Sequence, residues 1–329
     1  MVNKSVYLNK KLFDPDIELV PTRNGFGEGL VLAAEADENV VGLCADLTES
    51  TRMQSFAEKF PDRFIEVGVA EQNLVTVGAG MALGGKIPFT SSYATFSPGR
   101  NWEQIRTTIC YNDVPVKIIG SHAGVSVGPD GATHQALEDI AITRALPNMV
   151  VVSPSDWIEA KKATQAIARL NKPCYLRLSR EKVPVITTEQ TPFEIGKAEI
   201  FYEGKDATVI ATGQMVFRAL QAAEELKSHK ISVRVINCHT IKPLDKDTIL
   251  NAAEETGAIV TAEEHQVTGG LGGAVAEVLS QNYPVPLKII GIEDRFGESG
   301  EPNELLEKFG LTKEAIIKAV TAVLRMKGK

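Results

Sequence analysis

A heptapeptide near residue 70, VGVAEQN over residues 67–73, constrains the fold of this chain more than any other segment. An apolar strand predicted over residues 64–69 runs into it, and a helix rich in small residues follows as far as Leu83. Glu71 therefore lies near the start of a helix, beside an apolar core. Desolvation disfavours the charged form of a buried carboxyl group, and a neutral carboxylic acid donates a hydrogen bond in several catalytic sites. The alternative is a first-turn acid that only stabilises the helix, by about 0.3–1 kcal/mol.

Short apolar runs alternate with helical periodicity along the rest of the chain. Strands are predicted over 40–45, 114–119 and 149–152 in the first half, and over 207–213, 232–236 and 258–262 in the second. The helices predicted between them indicate strand–helix–strand units with parallel strands. We therefore predict an α/β fold with two domains, each a mostly parallel sheet flanked by helices. Residues 181–195 are polar, contain two prolines and lack periodicity, which is typical of an interdomain linker.

Composition limits the classes of function. The 329 residues provide room for about two domains, and a net charge of −7 without a basic stripe argues against nucleic acid as a partner. The four cysteines lie far apart in the sequence, so none has the spacing of a zinc-binding motif. Such cysteines are typical of reduced thiols, and we therefore expect a cytoplasmic protein. No apolar run approaches the roughly 20 residues that span a membrane, and we expect no membrane partner. Residues 1–11 lack the apolar core of a secretory signal and are predicted to form a partly ordered arm.

Polar and aromatic side chains follow two of the predicted strands. Asp46, Leu47 and Ser50 come directly after the strand at 40–45, and open α/β sheets place their binding sites at the ends of such strands. The segment 88–96 begins as a strand and ends with two aromatic residues, Tyr93 and Phe96. The alternatives are a loop that caps the next helix and ordinary core packing of the aromatic rings.

Residues 120–135 form a long polar loop inside the α/β pattern. The loop contains His122, Asp130 and His134, and loops of this length within a compact domain are usually functional. Arg180 ends the segment 174–180, where an arginine suits bidentate hydrogen bonding to a phosphate. A surface ion pair is the alternative for Arg180. Two glycine-rich segments, at 80–86 and 269–273, lack the remaining residues of a nucleotide-binding motif and are rejected as such sites.

Taken together in their order, these motifs resemble the C-terminal half of the transketolase family over nearly the whole chain. The matching segments are ADLT (45–48), GVAEQ (68–72), YATF (93–96), GSHAGVSVGPDGATHQ (120–135), PNM (147–149), PSD (154–156) and LSR (178–180). The resemblance implies a pyrimidine-binding domain over residues 1–187 and a transketolase C-terminal domain over residues 188–329. It also implies thiamine diphosphate as the cofactor, whose pyrimidine side this chain would bind.

The resemblance assigns a role to each matching residue. Glu71 would hydrogen-bond N1′ of the aminopyrimidine, and Tyr93 and Phe96 would surround that ring. Asp46 and Leu47 would border the thiazolium side. On the substrate, Asp130 would bond a sugar hydroxyl and His134 would bond the donor's oxygens near the reacting carbons, so Glu71, Asp130 and His134 are the expected catalytic residues. Sugar phosphate would be held by Arg23, Ser50, His122 and Arg180 through charge-assisted hydrogen bonds.

One departure from the family pattern suggests a missing half. Full-length members bind the diphosphate and its Mg²⁺ through a Gly-Asp-Gly motif and a downstream Asn, and no Gly-Asp-Gly occurs here. We therefore expect no metal ligands in this chain and Mg²⁺ bound by a transketolase N-terminal subunit, the two chains forming an α2β2 heterotetramer. The implied reaction is transfer of a two-carbon ketol unit from a ketose phosphate to an aldose phosphate.

Three alternatives remain open on the sequence. The beta subunit of a 2-oxo-acid dehydrogenase has the same two domains and a separate cofactor–metal half, but the run DGATHQ (130–135) and Arg180 fit sugar phosphate better. Deoxyxylulose-phosphate synthase shares the Asp-Gly-x-Thr-His-Gln run but is normally one chain. A catalytically silent binding or regulatory subunit would keep the fold alone, since fold does not determine function.

Overall fold

Two sheets organise the computed structural model, which describes residues 1–328. The strands of the first are β2 (Val40–Cys44), β3 (Phe64–Glu66), β4 (Ile87–Tyr93), β5 (Lys117–Ser121), β6 (Val150–Val152), β7 (Cys174–Arg177) and β12 (Thr240–Lys242). These seven strands lie in the order β12-β6-β7-β5-β4-β2-β3, and every neighbouring pair is parallel except β12–β6. Strands β1 (Leu19–Pro21) and β8 (Lys182–Pro184) pair separately as an antiparallel ribbon.

The second sheet has five strands. They are β9 (Glu199–Tyr202), β10 (Ala207–Ala211), β11 (Val233–Asn237), β13 (Ile259–Gln266) and β14 (Leu287–Ile292). Their order is β14-β13-β10-β11-β9, and only the β11–β9 pair is antiparallel. Central strands such as β2, β5 and β10 are buried along their whole length, which explains their unbroken apolar runs. The predicted α/β fold with two mostly parallel sheets is confirmed.

Helices cover both faces of each sheet. In the first half they are α1 (Thr22–Ala36), α2 (Gln54–Lys59), α3 (Glu71–Leu83), α4 (Trp102–Gln104, continued as a π-helical turn over Ile105–Cys110), α5 (Asp139–Arg144) and α6 (Trp157–Ala168). In the second half they are α7 (Met215–Ser228), α8 (Lys246–Thr256), α9 (Leu271–Asn282), α10 (Pro302–Lys308) and α11 (Lys313–Lys327). Short 3-10 turns occur at Lys4–Val6, Pro61–Arg63 and Val125–Asp130.

Helices α1 and α6 pack unusually closely because α1 carries glycines on the shared face. A Cβ atom at Gly25 would lie 1.9 Å from the carbonyl oxygen of Trp157. Asp156 caps the start of α6, and its other carboxylate oxygen accepts hydrogen bonds from the backbone N–H groups of Ile186 and Thr187. Gly25 lies two residues after Arg23, so its close contact with Trp157 holds the start of α1 against α6.

Three segments differ from the sequence-based expectations. Strand β12 belongs to the second half of the chain by sequence, yet it pairs with β6 of the first sheet, Thr240 opposite Val152. The N-terminal arm is packed, because Val6, Leu8 and Leu12 are buried in the core of the second sheet. Part of the expected linker forms β8. These elements join the two halves, and the domain boundary at residues 187 and 188 stays a prediction.

Two further findings concern membrane-spanning helices and cysteines. Among residues 1–328 no helix is both long enough and apolar enough to cross a membrane. All four cysteines are free and buried.

The buried His239 makes the stability of the fold depend on pH. It is fully buried between the sheets, with its ring 4.3 Å from that of Phe193, and burial lowers its pKa from 6.5 to about 3. Because the unfolded chain takes up this proton more readily, the free energy of unfolding falls as the pH drops below about 6.5. One such histidine accounts for a loss of about 2 kcal/mol between pH 7 and pH 5.

We predict that His239→Leu reduces this pH-dependent loss by about 2 kcal/mol. The measurement is urea unfolding of wild type and variant at pH 7 and pH 5. His229→Leu, at an exposed position, serves as the matched control and leaves the loss unchanged. An equal loss in wild type and His239→Leu would contradict the account.

Candidate functional site

The order of strands in the first sheet collects the predicted site residues along one edge. Strands β7, β5, β4, β2 and β3 are consecutive neighbours, and each ends in a segment that was singled out from the sequence. Arg180 follows β7 and His122 follows β5, whereas Tyr93 ends β4 and Phe96 follows it. Asp46, Leu47 and Ser50 follow β2, and Glu71 follows β3. The carboxyl edge of a parallel sheet is where α/β proteins place their sites.

Arg23, the second residue of α1, reaches across this edge to the end of β5. Its Nη1 donates hydrogen bonds to the carbonyl oxygen of Ser50 at 2.7 Å and to Nε2 of His122 at 3.2 Å. An arginine has no acceptor, so Nε2 of His122 must be the acceptor and the ring must be neutral. The ring proton is then on Nδ1, which donates to Oγ of Ser121 at 2.9 Å.

Positive charge accumulates around His122. Burial, followed by Arg23, Arg180, His134 and Arg52, lowers the pKa of His122 to about 3. Burial and the charges of Arg52 and Arg180 likewise lower the pKa of Arg23, whose Nε is buried without a hydrogen-bond partner. Three arginines that repel one another in a partly buried site favour the binding of an anion.

Arg180 forms one side of this cluster, together with the 120–135 loop. Its Nη1 donates to the carbonyl oxygen of Val127 at 2.6 Å and lies 3.6 Å from Oδ2 of Asp130. The Nε of Arg180 lies 3.8 Å from a carboxylate oxygen of Glu181. The structure therefore places Asp130 beside Arg180, within reach of a ligand held by the arginines.

Aromatic rings connect the two histidines of the loop. The ring of Tyr93 stacks on that of His122 at 3.9 Å and lies 6.1 Å from that of Phe96. His134 meets the ring of Phe96 edge-on at 5.3 Å, and Thr133 pairs with its Nδ1 at 2.9 Å. This arrangement makes a continuous wall from the cation cluster to His134.

Glu71 is the first residue of α3 and is 3% exposed. Its Oε2 is buried without a hydrogen-bond partner, and Nε of Arg100 is 4.0 Å away. Asn101 holds the backbone here, since its Nδ2 donates to the carbonyl oxygen of Glu71 at 2.8 Å and to Oγ of Ser97 at 3.1 Å. A buried acceptor without a partner is costly, so this oxygen is suited to a donor from a bound molecule.

Asp46 and Leu47 occupy a turn that Glu66 stabilises. The carboxylate of Glu66 accepts hydrogen bonds from the backbone N–H of Asp46 at 2.7 Å and of Gly68 at 2.9 Å, which ties the ends of β2 and β3 together. Asp46 has a φ of +59°, a conformation that costs energy for a residue with a side chain. Leu47 packs on the core beneath α1 and α2. Within residues 1–328, no hydrogen bond joins this turn to Glu71.

Sequence reasoning missed three residues of this region. Arg52 adds a third arginine to the cluster, and its Nε donates to Oδ1 of Asn24 at 2.9 Å. Arg52 lies in the same loop as Ser50, after β2, and a basic residue in that loop could have indicated an anion-binding role. Asn101 and Glu66 act on the backbone of their neighbours, and no local pattern in the sequence indicates such contacts.

Each half of the chain matches the model of a known protein domain family. The transketolase pyrimidine-binding domain matches residues 18–185, and the transketolase C-terminal domain matches residues 196–316. The chain therefore belongs to the transketolase family.

Individual relatives match the chain over nearly their whole length. The 6-deoxy-6-sulfo-D-fructose transketolase subunit SqwH of Clostridium sp. (strain MSTE9) is 41% identical, covering 96% of this chain and 98% of the relative. A subunit of the apulose-4-phosphate transketolase of Phocaeicola vulgatus is 39% identical, covering 91% and 96%. A solved structure described as a split gene transketolase, an inactive β4 tetramer, is 45% identical with a TM-score of 0.88, covering 94% and 99%.

Proposed function

We propose that this chain is the C-terminal subunit of a two-subunit transketolase, which transfers a two-carbon ketol unit from a ketose phosphate to an aldose phosphate with thiamine diphosphate. The observation that carries the proposal is the arrangement along one sheet edge. A desolvated cluster of Arg23, Arg180 and the neutral His122 lies at one end, and the unpaired carboxylate oxygen of Glu71 lies towards the other. An anionic substrate and a hydrogen-bonding cofactor would occupy this edge together.

The residues around Glu71 fit the pyrimidine side of thiamine diphosphate. Oε2 of Glu71 lacks a partner and would hydrogen-bond a ring nitrogen, holding the proton at that atom. Tyr93 and Phe96 provide aromatic surface for the ring, and Asp46 and Leu47 would border the rest of the cofactor. When bound, thiamine diphosphate supplies the nucleophilic carbon that carries the two-carbon unit.

The substrate would lie along the aromatic wall. Arg23, Ser50 and Arg180 would hold the phosphate, which would relieve the mutual repulsion of the arginines. His122 would join them if the phosphate takes over the hydrogen bond of Arg23 and the ring proton moves to Nε2, since Nδ1 could then accept from the hydroxyl of Ser121. Asp130, beside Arg180, would bond a sugar hydroxyl, and His134 would bond the donor's oxygens near the reacting carbons. These contacts orient the substrate and fix its distance from Glu71, a contribution of positioning to catalysis.

A transketolase N-terminal subunit would complete the site and bind Mg²⁺, in an α2β2 heterotetramer. Two observations support a partner. The relatives named as subunits match this chain over 98% and 96% of their own length. Two exposed apolar side chains also lie at the ends of this part of the chain, Val69 (74% exposed) two residues before Glu71 and Leu83 (71% exposed) at the end of α3, and a partner subunit would cover them. Magnesium requires carboxylate and phosphate oxygens, which that subunit and the diphosphate would supply.

A sulfonated ketose is the second candidate donor. The 41% identical relative is named for 6-deoxy-6-sulfo-D-fructose. Sulfonate and phosphate both present oxygens that arginines bind through charge-assisted hydrogen bonds. The cation cluster therefore suits either group, and kinetic comparison of the two donors distinguishes them.

Glu71→Gln tests the cofactor assignment. We predict that turnover of the reconstituted two-subunit enzyme falls by about 10²–10⁴-fold, because the amide cannot hold the proton, while affinity for thiamine diphosphate falls only modestly. Steady-state kinetics and cofactor titration measure the two effects. Glu103→Gln, an exposed carboxylate on the neighbouring α4, is the control. Turnover within a few-fold of wild type in Glu71→Gln would remove Glu71 from the reaction.

Arg180→Ala tests the phosphate assignment. Loss of one charge-assisted hydrogen bond should raise KM for xylulose 5-phosphate by about 10- to 100-fold and change KM for unphosphorylated xylulose much less. The control is Lys182→Ala, which removes an exposed positive charge two residues away. Equal effects of Arg180→Ala on both ketoses would show that Arg180 does not contact the phosphate.

A further inference from the structure

The 120–135 loop is attached to the second sheet through a buried carboxylate. Glu264, on β13, is 4% exposed, and its Oε1 accepts a hydrogen bond from the backbone N–H of Ser126 at 2.7 Å. Its Oε2 accepts from the side-chain amide of Gln214, which also donates to Oγ of Ser126 at 3.0 Å. A backbone group and a side chain of the loop are thus held by two residues from the other half of the chain.

The loop is shaped to admit this carboxylate. Gly124 has a φ of +89°, and a Cβ atom there would lie 2.2 Å from the carboxyl carbon of Glu264. The backbone of Glu264 contributes as well, because its carbonyl oxygen accepts from Nη2 of Arg177 at 2.8 Å. Arg177 ends β7, three residues before Arg180. Glu264 therefore contacts the two segments that form the anion-binding side of the site.

A second contact fixes the far end of the loop. The side-chain amide of Gln135 donates to the carbonyl oxygens of Val125 and Gly128 at 3.2 Å and to that of Glu298 at 2.9 Å. A Cβ atom at Gly131, whose φ is +76°, would lie 2.6 Å from Oγ of Ser299. Residues 298–299 thus support the turn that carries Asp130.

We propose that Glu264 is a positioning residue: the C-terminal half, through this carboxylate, sets the conformation of residues 124–131 and with it the placement of Arg180 and Asp130. Val127, next to Ser126, accepts the 2.6 Å hydrogen bond from Arg180. A shift of Ser126 therefore displaces the acceptor that orients the guanidinium. The kinetic consequence rests on the proposed function, and the structural consequence does not.

The chain offers a matched control in the adjacent residue. Glu263 is also fully buried, and its carboxylate accepts from the backbone N–H groups of Leu271 at 2.7 Å and Gly272 at 2.8 Å, both in its own half. Truncation of Glu263 or Glu264 leaves buried N–H groups without a partner, so both alanine variants should lose stability. Only Glu264→Ala releases the loop.

Glu264→Gln is the conservative variant. The amide oxygen introduced at position 264 can still accept from the backbone N–H of Ser126. Gln214 can rotate its own amide, so that its oxygen accepts from the introduced amide nitrogen and from Oγ of Ser126. We therefore expect this variant to keep the loop in place. Gln214→Ala, which keeps the Glu264–Ser126 bond, should produce an intermediate effect and serves if Glu264→Ala does not fold.

The first experiment is amide hydrogen exchange on the full chain, which requires no activity. We expect Glu264→Ala to speed exchange over residues 124–131 at least tenfold, Glu264→Gln to leave it within threefold, and Glu263→Ala to affect residues 271–272 instead. Unchanged exchange at 124–131 in both Glu264→Ala and Gln214→Ala would overturn the proposal.

The second experiment measures kinetics of the reconstituted enzyme. Glu264→Ala should raise KM for the phosphorylated ketose at least tenfold, with cofactor affinity within threefold of wild type, and Glu263→Ala should change neither. Equal KM values in wild type and Glu264→Ala would overturn the positioning role. If wild type itself proves inactive with its partner, the proposed function fails, and the exchange result still decides whether Glu264 holds the loop.

Discussion

The hydrogen bond from Arg23 to Nε2 of His122 connects the start of the first helix to the end of a central strand, and much of the site depends on it. It requires a neutral imidazole, and burial among positive charges maintains that state. The ring of His122 in turn supports Tyr93, which lies beside Phe96. Nε of Arg23 is buried without a hydrogen-bond partner, and burial and the neighbouring arginines lower the pKa of Arg23, so an anion bound beside Arg23 would be stabilised.

Much of this arrangement was predictable because it follows from strand order and from short motifs. The apolar runs identified the parallel strands, and residues that follow such strands meet at one edge of the sheet. The position of Glu71 at the start of a helix and the placement of His122, Asp130 and His134 in one loop were visible in the sequence. Their roles towards cofactor and substrate remain predictions.

The contacts that could not be predicted are those between residues far apart in the chain. Strand β12 joins the first sheet although 88 positions separate Thr240 from its partner Val152. Glu264 and Ser126 are 138 positions apart, and nothing near either residue indicates their hydrogen bond. Arg52 was overlooked because an isolated arginine in a polar loop is most often a solvated surface residue. Local patterns identify elements, whereas these contacts follow from how the two halves pack.

Membership of the transketolase family, the match to relatives named as subunits over nearly their whole length and the unpaired oxygen of Glu71 lead to one central proposal: the site on this chain is half of an active centre. The most direct test is ketol transfer from xylulose 5-phosphate to ribose 5-phosphate with thiamine diphosphate and Mg²⁺. This chain is assayed alone and then with a transketolase N-terminal subunit from the same organism. The account predicts activity in the mixture and none from this chain alone. Full activity from this chain alone, or none in a mixture whose two chains bind each other, would contradict it.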